Sequence, residues 1–271
     1  MISTVLTFLL NFHALAHRAC HSHPNALESN ALDSNERGPR KSLTLMPSPT
    51  SSNFIDESKI VLSQLAKPDG FYGEIVASCL STTFESVNRW AVDLMQVRPN
   101  ETVLEIGFGT GHAIQELVNR TQASHVIGID SASLMVQKAT QLNQKAIQSG
   151  KVQLLKADVA DLPAFTHKFD HVLAVNSVMY WPQHKLSRIL KALKSQMAPG
   201  GRIYFVMQRH FARFERGDFN AHIQELLTHL TQAGFIEVSG TRQQVTDRQA
   251  AIDSGLLICL AIHGTNPAFC L

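Results

Sequence analysis

Val103 to Val118 reads VLEIGFGTGHAIQELV. An apolar run carries an acid, Glu105, and three glycines follow at every second position. Ala113, Ile114, Leu117 and Val118 then recur at helical spacing. The stretch is a strand that must turn sharply into a helix. Glycine at 107, 109 and 111 tolerates positive φ and lets backbone N–H groups approach a ligand with no Cβ in the way. A dinucleotide turn favours G-x-G-x-x-G, with pyrophosphate at the helix N-terminus. Here the third glycine arrives one residue early, and that position holds His112.

Strands and helices alternate outward from this turn. HVIGID (125–130) reads as a second strand, and Met135, Val136, Ala139, Leu142 and Ala146 follow on one helical face. VQLLKAD (152–158) and FDHVLAVN (169–176) read as strands three and four. Leu186, Ile189, Leu190, Leu193 and Met197 mark an amphipathic helix that APGG (198–201) should stop. RIYFVM (202–207) is a fifth strand. Ile223, Leu226, Leu227 and Leu230 make a last helix, ended by Gly234, before strands in FIEVSG and GLLICLAIHG. Such alternation predicts βαβ units and a largely parallel sheet covered on both faces. Ligands then bind beyond the carboxyl ends of the strands, near the switch point.

Acids stand at those ends. Asp130 closes strand two, where a carboxylate accepts from both hydroxyls of a ribose. Asp158 closes strand three in KADVADLP, where it can accept from an adenine amino group while the Val159 backbone donates. A glycine loop with acids at successive strand ends describes an adenosine without a demand for phosphate. At Asp158, capping of a following helix is the competing role.

Over roughly residues 100–265 the sequence resembles the class I S-adenosylmethionine-dependent methyltransferases. The matching pieces are E-x-G-x-G-x-G at Glu105 to Gly111, Asp130 followed by SASLM, ADVADLP, FDHVLAVNSVMYW and LKSQMAPGGRIYFV. The resemblance implies a Rossmann-like α/β fold with a seven-stranded sheet in the order 3-2-1-4-5-7-6, strand seven antiparallel. It implies S-adenosyl-L-methionine as cofactor, held by Glu105, Gly107, Gly109, Gly111, Asp130, Ser131, Met135, Asp158, Val159 and Asn176. Glu105 would anchor the loop and the methionine amino end. Met135 would pack on the adenine or simply in the core. Asn176, at the end of strand four, would face the transferred methyl, and Tyr180 and Trp181 would shape the acceptor pocket. Asn176 and Tyr180 are the residues expected to affect transfer itself. Upstream, PDGFYGEIVASCLSTTFESVNRW resembles the lead-in of small bacterial methyltransferases, a helical lid whose Phe71 and Tyr72 would close over the methyl.

The remaining chain sets the bounds. Of 271 residues, 44% are hydrophobic, enough for a substantial core, and a net charge of +2 argues against a nucleic-acid or anionic-membrane partner. Four scattered cysteines form no C-x-x-C pair, which fits free thiols and a cytoplasmic setting. MISTVLTFLLNFHALA resembles a signal peptide but lacks a preceding Lys or Arg. Residues 1–53 read as a disordered or dispensable extension, 54–98 as the lid and 99–271 as the cofactor domain. Helices are expected over 56–66 and 83–96, separated by Pro68, Gly70 and Gly73. His17, Cys20, His21 and His23 are too tightly spaced in a polar tail to be read as a metal site, and none is expected. His171 reads as structural, His184 as a helix-start residue, and RHFARFERGDF (209–219) as a solvated loop.

No Asn-Pro-Pro-Tyr or Asp-Pro-Pro-Tyr follows strand four, so a small-molecule acceptor is expected rather than DNA or protein. Two rival readings stand beside methyl transfer. One is a non-catalytic module on the same fold, and the other is a nicotinamide-dependent oxidoreductase.

Overall fold

The computed structural model describes residues 63–208, 219–245 and 257–267. The expectations for residues 1–53, for the first part of the lid and for loop 209–218 lie outside the described residues. Residues 63–66 are helical. Then come α1 (Gly70–Thr83), α2 (Glu85–Met95), β1 (Thr102–Ile106), α3 (His112–Arg120), β2 (His125–Asp130), α4 (Ser133–Leu142) and α5 (Gln144–Gln148). They are followed by β3 (Val152–Lys156), β4 (Phe169–Val175), α6 (Leu186–Gln196), β5 (Met197–Gln208), α7 (Phe219–Gln232), β6 (Ile236–Val245) and β7 (Leu257–Thr265).

Seven strands form one sheet in the order β3-β2-β1-β4-β5-β7-β6. β1 pairs in parallel with β2 on one side and β4 on the other, and β7 runs antiparallel to both β5 and β6. The expected topology is the observed one. β1 is buried almost throughout, as a central parallel strand covered on both faces must be. Val103, Leu173, Val175, Tyr204 and Val206 pack with Val87, Trp90, Ala91 and Met95 of α2, Ile114 and Leu117 of α3, and Met135 and Ala139 of α4. Ion pairs Arg120–Asp93 (2.8 Å) and Arg89–Glu116 (3.6 Å) tie α2 to α3, and Lys138–Glu74 ties α1 to α4.

Two elements differ from expectation. α1 runs through Gly73, which by residue type alone is a breaker. A Cβ there would lie 2.8 Å from the Pro68 carbonyl carbon and 3.1 Å from Leu134 Cδ2, so the glycine is a close-packing position rather than a stop. β5 starts at Met197, five residues before the expected strand, because Met197 already pairs with Phe169, after which APGG bulges with Gly200 at φ +80° before Arg202 pairs with His171. A register shift between Phe169 and His171 takes up the excess. Among the described residues no helix is long and apolar enough to cross a membrane.

Candidate active site

The glycine loop leaves the C-terminal end of β1, and its three glycines serve three purposes. Gly107 has φ +71°, and a Cβ on it would lie 2.5 Å from Ser177 Cβ. Ser177 closes in because its hydroxyl donates to the Ile106 carbonyl at 2.6 Å, which ties the end of β4 to the end of β1. Gly109 has φ +53°, and a Cβ on it would meet nothing within 4 Å, so its side faces open space. Gly111, at φ +85°, faces the other way: a Cβ would meet Ala139 Cβ and Asn143 Nδ2, both at 2.7 Å. Asn143 also donates to the Gly111 carbonyl at 3.0 Å, which locks α3 onto the end of α4.

Above the loop lies a cavity of about 230 Å³ at the C-terminal ends of β3, β2, β1 and β4. Of the residues expected to hold the cofactor, Glu105, Gly107, Gly109, Asp130, Ser131, Met135, Asp158, Val159 and Asn176 line it, as do Tyr180 and Trp181. Gly111 does not line it. Its glycine is required by the contact between α3 and α4. Phe71 and Tyr72 do not line it either; they pack edge to face at 5.7 Å on the surface, with Phe71 66% exposed. From the chain before β1, the cavity is lined instead by Leu65, Ala66, Pro68, Leu80, Phe84 and Asn88.

Each acid is held differently. Asp130 Oδ2 accepts from the Gly109 N–H at 2.9 Å and Oδ1 from the Ala132 N–H at 2.8 Å. One carboxylate therefore orders the loop and also faces the cavity. Burial raises its pKa, and these two amides offset that rise only in part. Glu105 is buried, and its Oε2 has no hydrogen-bond partner. Burial, with the charge of Asp130 added, pushes Glu105 up to about 8. Asp158 Oδ1 accepts from the Ala160 N–H at 2.8 Å and caps the short turn Val159–Asp161. The capping role that competes with adenine contact is thus present, and the same residue still lines the cavity.

Asn176 adopts a left-handed φ of +50°. Its Nδ2 donates to Gln208 Oε1 and its Oδ1 accepts from the Gln208 N–H, both at 2.8 Å. The carboxamide is thus committed to the end of β5. Trp181 is buried edge-on against Phe205, with ring centroids 5.4 Å apart. Met135 is both core and cavity wall. His171 bonds Glu101 at 2.8 Å, and neither it nor His184 lines the cavity.

Ser177 and Asn88 also line the cavity, and both lie within the stretches that carry the resemblance, FDHVLAVNSVMYW and PDGFYGEIVASCLSTTFESVNRW, although neither stands out there. His112 had a signal, since it occupies the place where a dinucleotide fingerprint wants glycine. Its Nδ1 lies 2.9 Å from Thr110 Oγ1, and burial lowers its pKa. Among the described residues no Lys or Arg lines the cavity, and no cluster of His, Cys, Asp and Glu is suited to a metal. A pocket with three acids, backbone amides around Gly109 and an orphaned buried Glu105 oxygen fits a cationic adenosine ligand.

A parallel sheet reversing between β1 and β4, with an acid-lined cavity at that switch, defines an adenosine-binding α/β enzyme domain. Residues 103–201 match the family described as methyltransferase domain. The chain is 24% identical over 156 residues to the uncharacterized methyltransferase YdaC of Bacillus subtilis, a match that covers 57% of this chain and 82% of that protein. It is 27% identical to the ubiquinone/menaquinone biosynthesis C-methyltransferase UbiE of Geotalea daltonii, covering 48% of this chain and 58% of that one. The fold superposes on N-methyltransferase NodS from Bradyrhizobium japonicum, solved in complex with S-adenosyl-L-homocysteine. That superposition has a TM-score of 0.53 at 16% identity and covers 77% of this chain and 97% of that one. Residues 103–201 are thus a methyltransferase domain on the fold of the S-adenosylmethionine-dependent methyltransferases, and the nicotinamide reading is set aside.

Proposed function

We propose that the chain transfers the methyl group of S-adenosylmethionine to a small, largely apolar acceptor in this cavity. The observation that carries the reading is the change of lining along the sheet. The ends of β3, β2 and β1 supply Asp158, Asp130 and Glu105. The end of β4 supplies Val175, Tyr180, Trp181 and Pro182, with no charged group. The bound cofactor supplies an electrophilic sulfonium methyl, so the protein's work is alignment and exclusion of water.

In this reading Asp130 accepts from the ribose hydroxyls while its two amide bonds hold the loop in shape. Asp158, with one oxygen on its cap, offers the other to the adenine amino group, and Met135 and Val159 flank the ring. Glu105 faces the cationic methionyl end. Asn176 and Ser177 fix the backbone beside the methyl through Gln208 and Ile106, so Asn176 acts by shape rather than by a free amide. Phe84, Tyr180 and Trp181 form the acceptor wall. The scale of the pocket favours a metabolite over a macromolecule, and the described part of the expected lid, residues 64–98, covers the cavity.

Transfer of labelled methyl from S-adenosylmethionine into a cell extract, fractionated by size, tests this. Label is expected in the small-molecule fraction. Label confined to protein or RNA would overturn the acceptor class, and no protein-dependent transfer would favour a non-catalytic module.

A further inference from the structure

Glu105 on β1 pairs in register with Gly128 of β2, and Asp130 lies two residues further along β2, on the same face of the sheet. Both are buried. Asp130 has two backbone donors, whereas Glu105 Oε2 has none. The other titratable groups facing the cavity are Asp158 after β3, His112 at the start of α3 and Tyr180 after β4. Among the described residues no Lys or Arg lines it. Two adjacent buried carboxyls without a cation do not both ionise, because each disfavours the charge on the other. Asp130, with two amide donors, keeps the charge, and Glu105 keeps the proton. Burial and Asp130 act in the same direction on Glu105, pushing it up to about 8.

We infer that Glu105 makes cofactor binding an exchange of a ligand cation for a proton, and that this exchange lets the site distinguish S-adenosylmethionine from S-adenosylhomocysteine. The inference rests on the placement of the methionyl end at Glu105 proposed above. The empty site holds the neutral acid. A ligand ammonium or sulfonium supplies the missing countercharge, and the carboxyl proton leaves to solvent. The reactant carries both cations, and the product lacks the sulfonium charge. The product therefore holds ionised Glu105 less firmly, and the acid tends to regain its proton after transfer. Glu105 is in this sense a specificity-determining residue, favouring entry of the charged cofactor and release of the spent one.

Calorimetry of both ligands between pH 5.5 and 7.5, in buffers of different ionisation enthalpy, tests this. Over that range the ligand α-amino group stays largely protonated, with a pKa of about 7.7–8.0 for such groups. Binding of S-adenosylmethionine is expected to release up to about one proton, its affinity rising by as much as roughly tenfold per pH unit. S-adenosylhomocysteine should show a shallower rise. Glu105→Gln should abolish the release, flatten both profiles and reduce the preference for S-adenosylmethionine. His112→Gln should leave the release in place, which separates Glu105 from the imidazole. Equal slopes for the two ligands, or an unchanged slope in Glu105→Gln, would overturn the inference. Absence of binding by either ligand to the wild-type protein would instead overturn the cofactor placement itself.

Discussion

The three loop glycines carry separable burdens, and substitution should separate them. Gly109→Ala adds a methyl into the open cavity at φ +53°. Left-handed alanine costs about 1–2 kcal/mol, so melting should fall by only a few degrees. Affinity for S-adenosylmethionine should fall by roughly tenfold or more, since about 1.4 kcal/mol of lost contact is a factor of ten. Gly111→Ala adds the same strain to a contact with Ala139 and Asn143 at 2.7 Å. Overpacking contributes about 1–3 kcal/mol further, so thermal stability should drop by roughly twice as much or more. Differential scanning calorimetry beside binding titration checks the contrast, and equal effects on both readouts would refute it. The sequence shows that all three positions need glycine but not why. Gly111 is distinguished only by α4, which reaches it from residues 139 and 143. Asp130 and Asp158 are legible because each directly follows an apolar strand. The pairing of Asn176 with Gln208 is not, since it spans two strands that share no motif.

Among the elements, the ends of β4 and β5 form one unit through Asn176 and Gln208. Asn176→Ala leaves a buried Gln208 acceptor and N–H without their partner, at about 1–3 kcal/mol for each unsatisfied group. Asn176→Ala and Gln208→Ala should therefore couple, with an interaction energy of about 0.5–3 kcal/mol in a double-mutant cycle of denaturant unfolding. Both single variants should bind S-adenosylmethionine nearly as wild type and lose methyl transfer, because a displacement tolerates little misalignment. Additive destabilisation with unchanged transfer would show that the pair does not position the site. α1 illustrates the limit of reading elements locally. Pro68, Gly70 and Gly73 are ordinary breaker signals, yet α1 runs across Gly73, where Leu134 and Pro68 leave no room for a side chain. A tertiary contact, not a break, accounts for that glycine. Phe71 and Tyr72, the aromatics expected to close over the methyl, lie on the surface, whereas Leu80, Phe84 and Asn88 reach the cavity.

For the whole molecule, sheet order follows from the alternation of strands and helices together with the resemblance, and it needs no side-chain detail. The electrostatics do need it, because Glu105 is buried with no partner for Oε2 and feels the charge of Asp130 on the neighbouring strand. The folded cofactor-free protein holds a Glu105 proton that the unfolded chain, with a carboxyl near its usual 4.5, has released. Stability from this group is full below about pH 4.5 and is lost progressively as pH rises through about 8. Melting temperature of the cofactor-free protein should therefore fall more steeply from pH 5 to 8.5 than that of Glu105→Gln, and parallel profiles would contradict the burial of an unpaired acid. Central to all of this is S-adenosylmethionine bound in the cavity at the ends of β3, β2, β1 and β4. A crystal structure of the protein with S-adenosyl-L-homocysteine tests that placement most directly. The ribose is expected on Asp130, the adenine between Met135 and Asp158–Val159, and the methionyl end over Gly109 towards Glu105 and Asn176. A ligand bound elsewhere, or in this cavity with its adenine at the β4 end, would contradict it.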